Sequence, residues 1–418
     1  MNDHPTRDRA TGTTSGSSPV RSAGRLPAVD AARGLALVGL TAVHFLPAVY
    51  AENNRPTLSW ILFGGDSAAL FALLAGVSLA FSSGSRRPRR GRELTALRAG
   101  IAVRALLIMA VGLMIGYLMP DEPPAIGILV QYGAFFLLSL PFLGLRPRTL
   151  LICAAGLVVA GPLLIHSLGG LVPVYSAHNP TFAHVVTEPV AFFWQLVLTG
   201  TYPAVTYMAY LLAGLAVGRL NLKSLRVQTR LLAVGLGLAA VAKLLSWILL
   251  YAADGYNRLL FSIPALTRQE LDDMIVFGPA GPLPTNSLWW LALSAPHTNT
   301  PLAVSWSLGV SLAVLGGFLL IGRRSAPWLL PLTALGAMTL TLYSAQLVLL
   351  STEVHYGSPL LWCVVVLVVS ALVALAWRHA FGRGPLEWVV SATARATTRA
   401  VAERGRRRGP EPKRRPLG

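Results

Sequence analysis

The sequence predicts an all-α polytopic membrane protein, a bundle of about ten transmembrane helices with both termini in the cytoplasm. Three observations predict it. The chain of 418 residues is 54% apolar and only 12% charged, whereas about a quarter of an ordinary globular protein is charged. Apolar runs of roughly 17 to 24 residues recur along it, the length needed to cross about 30 Å of hydrocarbon. The basic residues, finally, collect in every second connection between those runs.

Residues 1–24 are polar, rich in Ser, Thr and Gly, and lack the apolar core of a secretory signal, so they read as a disordered cytoplasmic tail. The membrane domain is expected over 25–391, with spans at about 34–50, 60–82, 100–119, 125–144, 149–165, 202–218, 231–251, 302–321, 329–350 and 359–377. Arginines, prolines or a polar loop bound each one. Five arginines up to Arg33 precede the first span, and seven from Arg86 to Arg104 join the second to the third. Arg146 and Arg148 precede the fifth, four basic residues from Arg219 to Arg230 join the sixth to the seventh, and Arg323 and Arg324 join the eighth to the ninth. Arg378, Arg383 and nine basic residues from Arg395 onward follow the tenth, so 31 of the 35 basic residues fall on one side. That is the positive-inside pattern. The net charge of +18 therefore reads as topology and not as nucleic-acid binding. The basic tail 392–418 reads as disordered and suited to lie against anionic lipid.

Cys153 and Cys363 fall inside apolar runs, without the spacing of a zinc site or a disulfide framework, and no metal is expected. Two outer loops are long, 166–201 and 252–301, and long ordered loops tend to be functional. The first holds His166, His178, His184, Glu188 and "PVAFFWQLVL", too short to span and read as interfacial or re-entrant. The second holds "RQELDD", then Trp289, Trp290 and His297. The histidines are too scattered for zinc, and the aromatics and acids read as an outward-facing wall for a polar or glycan substrate. Tyr202, Tyr207 and Tyr210 fit an interfacial belt, with a sugar-stacking lip as the alternative.

Ionisable groups inside spans cost several kcal/mol unless they face a bundle interior or a wet cavity, which makes each a candidate site residue. His44, Asp66 and Lys243 lie within spans, Gln346 lies in the ninth with Tyr343 and Ser344, and Arg33 and Arg104 lie near cytoplasmic ends. His44 follows Arg33 by eleven residues, about 16 Å of helix, which places it near the middle of the bilayer. Asp66 would be level with it in an antiparallel hairpin, where a carboxylate fixes the tautomer of a general base. The plainer alternatives are that Asp66 caps a helix beginning after Gly64 and Gly65, and that His44 only hydrogen-bonds between helices. Lys243 calls for a partner or a cavity, and Gln346 reads as structural. Asp30 and Arg33 could simply complement the helix dipole and mark the inner interface.

The stretch "RLPAVDAARGLALVGLTAVHF" resembles the first helix of the transmembrane acyltransferase superfamily, which includes heparan-alpha-glucosaminide N-acetyltransferase-like proteins and bacterial membrane O-acyltransferases that decorate sugars. Those proteins open with a basic residue and D-x-x-R-G, and in the bacterial members a histidine follows the arginine by eleven residues, as His44 follows Arg33. "GGDSAALFALLAGVSLAF" resembles the next segment. "PLTALGAMTLTLYSAQLVLLS" and "WRHAFGRGPLEWVV" are similar to the bacterial domain of unknown function 418 family. In the lysosomal pattern an Asn stands where His44 does, and the active histidine comes where this chain has Arg55. The lysosomal substrate is therefore not carried over.

The resemblance implies transfer of an acyl group, acetyl first among them, from cytoplasmic acyl-CoA to a hydroxyl or amine of a glycan or related acceptor on the outer face. Arg25, Arg33 and Arg104 would pair with donor phosphates, His44 would be the general base, and Asp66 would orient it. The expected partners are membrane lipid and the acceptor, with a homodimer compatible with the composition and nucleic acid excluded. A multi-pass protein of a bacterial plasma membrane fits the abundance of Arg, Ala, Gly and Leu. The competing reading is a transporter or flippase, which would more often show broken helices in two repeated halves.

Overall fold

A computed structural model describes residues 26–173, 178–324 and 327–407, of residues 405–407 the backbone alone. The N-terminal tail with Arg25, and residues 408–418, lie outside the described residues. Those described fold into helices, joined by turns and one isolated bridge between Val49 and Pro56.

Helix α1 (Pro27–Phe45) opens on a proline, whose fixed φ suits a first turn, and ends where Leu46 becomes extended ahead of Pro47. It therefore begins seven residues before the expected span and ends five before its far limit. α2 (Leu58–Phe63) stops at Gly64; Gly65 takes φ 74°, open to glycine at little cost, and α3 (Asp66–Ser82) starts directly after. α4 (Gly91–Gly116), α5 (Leu129–Ser139) and α6 (Pro147–Leu168) follow in turn, α5 packing on α4 and being prolonged to Gly144 by a 3-10 turn. Short α7 (Phe182–Thr187) and α8 (Pro189–Trp194) lead through a π turn into α9 (Ala204–Val217). The chain bends by 52° there, at Pro203, which disfavours helix at Tyr202.

α10 (Leu225–Trp247) leads to an outlying unit containing α11 (Gly255–Leu260) and α12 (Arg268–Phe277). α13 (Pro301–Ile321) returns, followed by α14 (Leu330–Ala337), α15 (Thr339–Leu350), α16 (Pro359–Ala380) and α17 (Pro385–Arg407). α14 and α15 meet at 71°. Among the described residues seven helices can cross a bilayer by length and composition, nine if each bent pair is one span, and Leu129–Gly144 is a shorter apolar helix. Together these account for the ten apolar runs.

Burial sorts the helices by depth. In α9 every residue but Val205 is buried, and α3 packs along it with backbones so close that a Cβ at Gly214 would stand 1.8 Å from the Leu73 carbonyl oxygen. α1 and α14 cross in the same manner at Gly34 and Gly336. Small residues at crossings are how membrane helices gain dispersion contact where burial from water gives no drive. α16 is the opposite case, exposing Leu361, Val368 and Leu372, an apolar face that lipid would cover.

The outlying unit has a core of its own, made by Leu250, Leu259, Leu271, Trp290 and Leu293. α12 is the segment "RQELDD", and its start is a capping box: the Thr267 hydroxyl accepts the Glu270 N–H at 3.2 Å while the Glu270 carboxylate accepts the Thr267 N–H at 2.8 Å. Those bonds from Thr267, backbone first, hold the Glu270 carboxyl below the usual carboxylate range. Two sequence expectations fail here. Trp290 is no outward wall; it is fully buried and its indole N–H donates to Asn286 Oδ1 at 2.9 Å. Nor do Tyr202, Tyr207 and Tyr210 form an interfacial belt, for all three are buried in the bundle. The tail read as disordered from residue 392 is, to Arg407, the continuation of α17, which packs on α4.

Candidate functional site

Two cavities enter the bundle. The first, about 290 Å³, runs from Arg383, in the turn before α17, and Glu387 on α17 past Arg33 and Arg104 to Tyr132 and Tyr343. Arg33, in the second turn of α1, is tied to its surroundings: its guanidinium donates to Asp30 Oδ1 at 3.2 Å and to the Ser78 hydroxyl on α3. Arg104 lies thirteen residues into α4, deeper than the sequence suggested because that helix begins at Gly91. Its guanidinium carbon stands 5.2 Å from the Phe136 ring centroid, a cation–π contact. Two of the expected donor-binding arginines thus share one cavity, while Arg25 lies outside the described residues. Arg383 was read only as inside charge and Glu387 not singled out, because neither lies in a span and only the packing of α17 on α4 brings them to the cavity.

The second cavity, about 370 Å³, is lined by Asp66, Lys243, His297, Trp306, Trp60 and Tyr207, among others. Asp66 is the first residue of α3, yet its side chain makes no cap there. The carboxylate instead accepts from the Trp306 indole N–H at 3.1 Å and from the Ser307 hydroxyl at 2.6 Å, both on α13. Neither sequence reading of Asp66, cap or partner of His44, describes these bonds. Lys243 finds a cavity, as an intramembrane lysine must: its Nζ donates to the Ser294 carbonyl at 3.3 Å and stands 4.8 Å from the Trp306 ring centroid.

His44 stands near a lining residue of each cavity. It lies in the last turn of α1 rather than mid-helix, since the helix stops at Phe45. Its ring centroid is 6.3 Å from that of Tyr343, which lines the first cavity. It also stands close enough to His297, which lines the second, for a charge on one imidazole to oppose a charge on the other. Its direct polar partner is Gln346 on α15, whose amide lies 3.2 Å from His44 Nδ1. The Thr41 hydroxyl in turn donates to Gln346 Oε1 at 2.9 Å. The residue that holds the ring is therefore the neutral amide that sequence reasoning set aside. Gln346 and Tyr343, three apart on one apolar helix, were the legible signal for it.

His297 is the other addition. It was one histidine among several in a long loop, and nothing in its spacing marked it. The loop folds back onto α9, with the Thr206 hydroxyl donating to Asn299 Oδ1 at 3.0 Å and the His297 ring 5.6 Å from that of Tyr202. Burial pushes the His297 imidazole down to about 4, so it is neutral near pH 7.

Among known families, the sequence model of the heparan-alpha-glucosaminide N-acetyltransferase catalytic domain matches residues 25–249. Arg33, His44, Asp66, Arg104 and Lys243 lie in the matched part, and His297, Tyr343, Gln346 and Glu387 beyond it. No curated protein matches the chain.

Proposed function

The chain belongs to the heparan-alpha-glucosaminide N-acetyltransferase catalytic family, a membrane acyltransferase type, and on that premise we propose that it moves an acyl group, acetyl first, from cytoplasmic acyl-CoA to a glycan hydroxyl or amine on the outer face of a bacterial plasma membrane. The observation that carries this reading is the pair of cavities, each with a lining residue, Tyr343 in one and His297 in the other, close to His44. Arg104 and Arg33 give the first cavity the positive charge that donor phosphates call for, and its apolar wall at Phe71 and Phe136 suits an acyl-pantetheine arm. Trp60 and Trp306 offer indole rings to a sugar in the second, with Lys243 as a hydrogen-bond donor.

Across the gap His44 takes the proton from the acceptor O–H or N–H as that atom attacks the thioester carbonyl. The new C–O or C–N bond forms, the C–S bond breaks, and the imidazolium returns the proton to the departing thiolate. The base needs no covalent intermediate.

The test is thiol release from acetyl-CoA by purified protein in liposomes, offered a panel of sugars, with the acylated acceptor identified by its mass. Wild type is expected to couple the two. His44→Ala, shown to be monodisperse, should lose about a hundredfold to ten-thousandfold in turnover, the usual contribution of a positioned base. No thiol release with any acceptor would overturn the acyltransferase reading; near wild-type turnover in His44→Ala would remove His44 as the base. A second reading, a transporter for a polar or lipid-linked substrate, draws on the two bent helix pairs, since broken helices are a transporter feature. Solute flux across the same liposomes without thiol release would favour it.

A further inference from the structure

We propose that Gln346, itself anchored by Thr41, is a positioning residue that sets the tautomer of His44, placing the proton on Nδ1 and leaving Nε2 as the basic nitrogen. The inference deepens the reading of His44 as the base and rests on it for its catalytic consequence.

Proton counting carries the argument. The Thr41 hydroxyl has one proton and two close neighbours, the Leu37 carbonyl oxygen at 2.9 Å and one end of the Gln346 amide at 2.9 Å. The Leu37 carbonyl can only accept. With the Gln346 oxygen facing Thr41, as the structure sets it, two acceptors compete for that single proton and one buried contact holds none. The ends of an amide are assigned from the network around them, and here the network prefers the NH₂ end toward Thr41. Thr41 then donates to Leu37 and accepts from Gln346, and both short contacts are satisfied. Turned this way, Gln346 presents its oxygen where the structure sets its amide nitrogen, 3.2 Å from His44 Nδ1, a contact that is then a hydrogen bond only when Nδ1 bears the proton. Nε2 keeps its lone pair. Thr41 and Gln346 are both buried while His44 is only partly so, so the relay sits deeper than the ring. A carboxylate in that place would stabilise the imidazolium; a neutral amide orients the ring and leaves the base neutral.

The test reads the tautomer directly and the chemistry separately. In protein labelled with ¹⁵N-histidine in detergent micelles at neutral pH, the His44 signals are those lost in His44→Gln, and Nε2 is told from Nδ1 by its coupling to both ring protons. Wild type is expected to show a protonated Nδ1 and a bare Nε2. Gln346→Leu, and the isosteric Thr41→Val more weakly, should shift population toward a protonated Nε2. A protonated Nε2 in wild type, or an unchanged tautomer in folded Gln346→Leu, would overturn the proposal. In the transfer assay Gln346→Leu should lower kcat at least about tenfold with little change in KM, a wrong tautomer costing up to about ten-thousandfold in a protease triad. Gln346→Glu, which keeps an acceptor for Nδ1–H, should restore most turnover and move the acidic limb of the pH profile upward, because its charge raises the imidazole pKa. An unmoved limb would overturn it as well. Absence of transfer by wild type would defeat the functional reading, and the ¹⁵N result would still decide this one.

Discussion

His297 and Asn299 both adopt positive φ, 58° and 52°, a region that costs a residue with a Cβ about 1–3 kcal/mol unless its surroundings hold it there. Asn299 supplies the hold: its side-chain amide donates to the His297 carbonyl at 3.1 Å and its oxygen accepts from Thr206 on α9. Backbone strain is thus stapled to the central helix beside an imidazole whose buried Nδ1 has no hydrogen-bond partner. The sign of its pH dependence follows from its pKa. Folding lowers the imidazole from 6.5 to about 4, so the unfolded chain binds more protons between those values. The stability this loop contributes is complete above 6.5 and is lost as pH falls toward about 4. The apparent melting temperature in detergent should drop across that window, and His297→Gln should flatten the drop. An identical slope in the variant would assign the dependence to other groups.

At the scale of elements, the sharpest departure from a simple bundle is the break between α14 and α15. The sequence there, "LGAMTLT", contains no proline, and periodicity alone predicts one straight span over 329–350. The break leaves the first N–H groups of α15 without intrahelical partners. Glu387 on α17 supplies one: its carboxylate accepts the Thr341 N–H at 3.0 Å and the Thr341 hydroxyl at 2.5 Å, and the Thr341 hydroxyl oxygen accepts the Leu386 N–H at 3.2 Å. A carboxylate at a helix N-terminus is also favoured by the dipole. α17 is fastened further by its crossing with α4, where a Cβ at Gly100 would stand 2.1 Å from Thr398 Oγ1. Glu387→Ala should therefore destabilise the protein by about 0.5–2 kcal/mol, the range of a lost helix cap, seen as a lower apparent melting temperature. Wild-type stability in that variant would show the break to be held by packing alone.

For the whole molecule, the layering is that of a protein in lipid: α9 and α3 inside, and α6, α10 and α16 outside with only 22%, 28% and 17% of their apolar windows buried. The side on which each end lies is a prediction from charge. Reporter fusions after Arg92 and Arg226 should report the cytoplasm and one near Asp272 the outside; an outside signal at Arg92 would reverse the layout. Much of this scale was legible in the chain. Apolar runs and alternating arginines are one-dimensional properties, set by the length of a helix that crosses hydrocarbon and by the asymmetry of insertion, so the all-α class and the ten runs follow from the sequence by itself. So does the suspicion attached to Arg33, His44, Asp66, Arg104 and Lys243, because the bilayer makes each expensive wherever the fold puts it. What the sequence could not determine is which of these meet. Asp66 answers to Trp306 and Ser307, His44 to Gln346, and α15 to Glu387, over separations of 240, 241, 302 and 46 residues. Such pairings depend on which helix crosses which and at what rotation. Those are settled by close packing at small residues such as Gly34, Gly214 and Gly336, a property of the assembled bundle that no single helix carries.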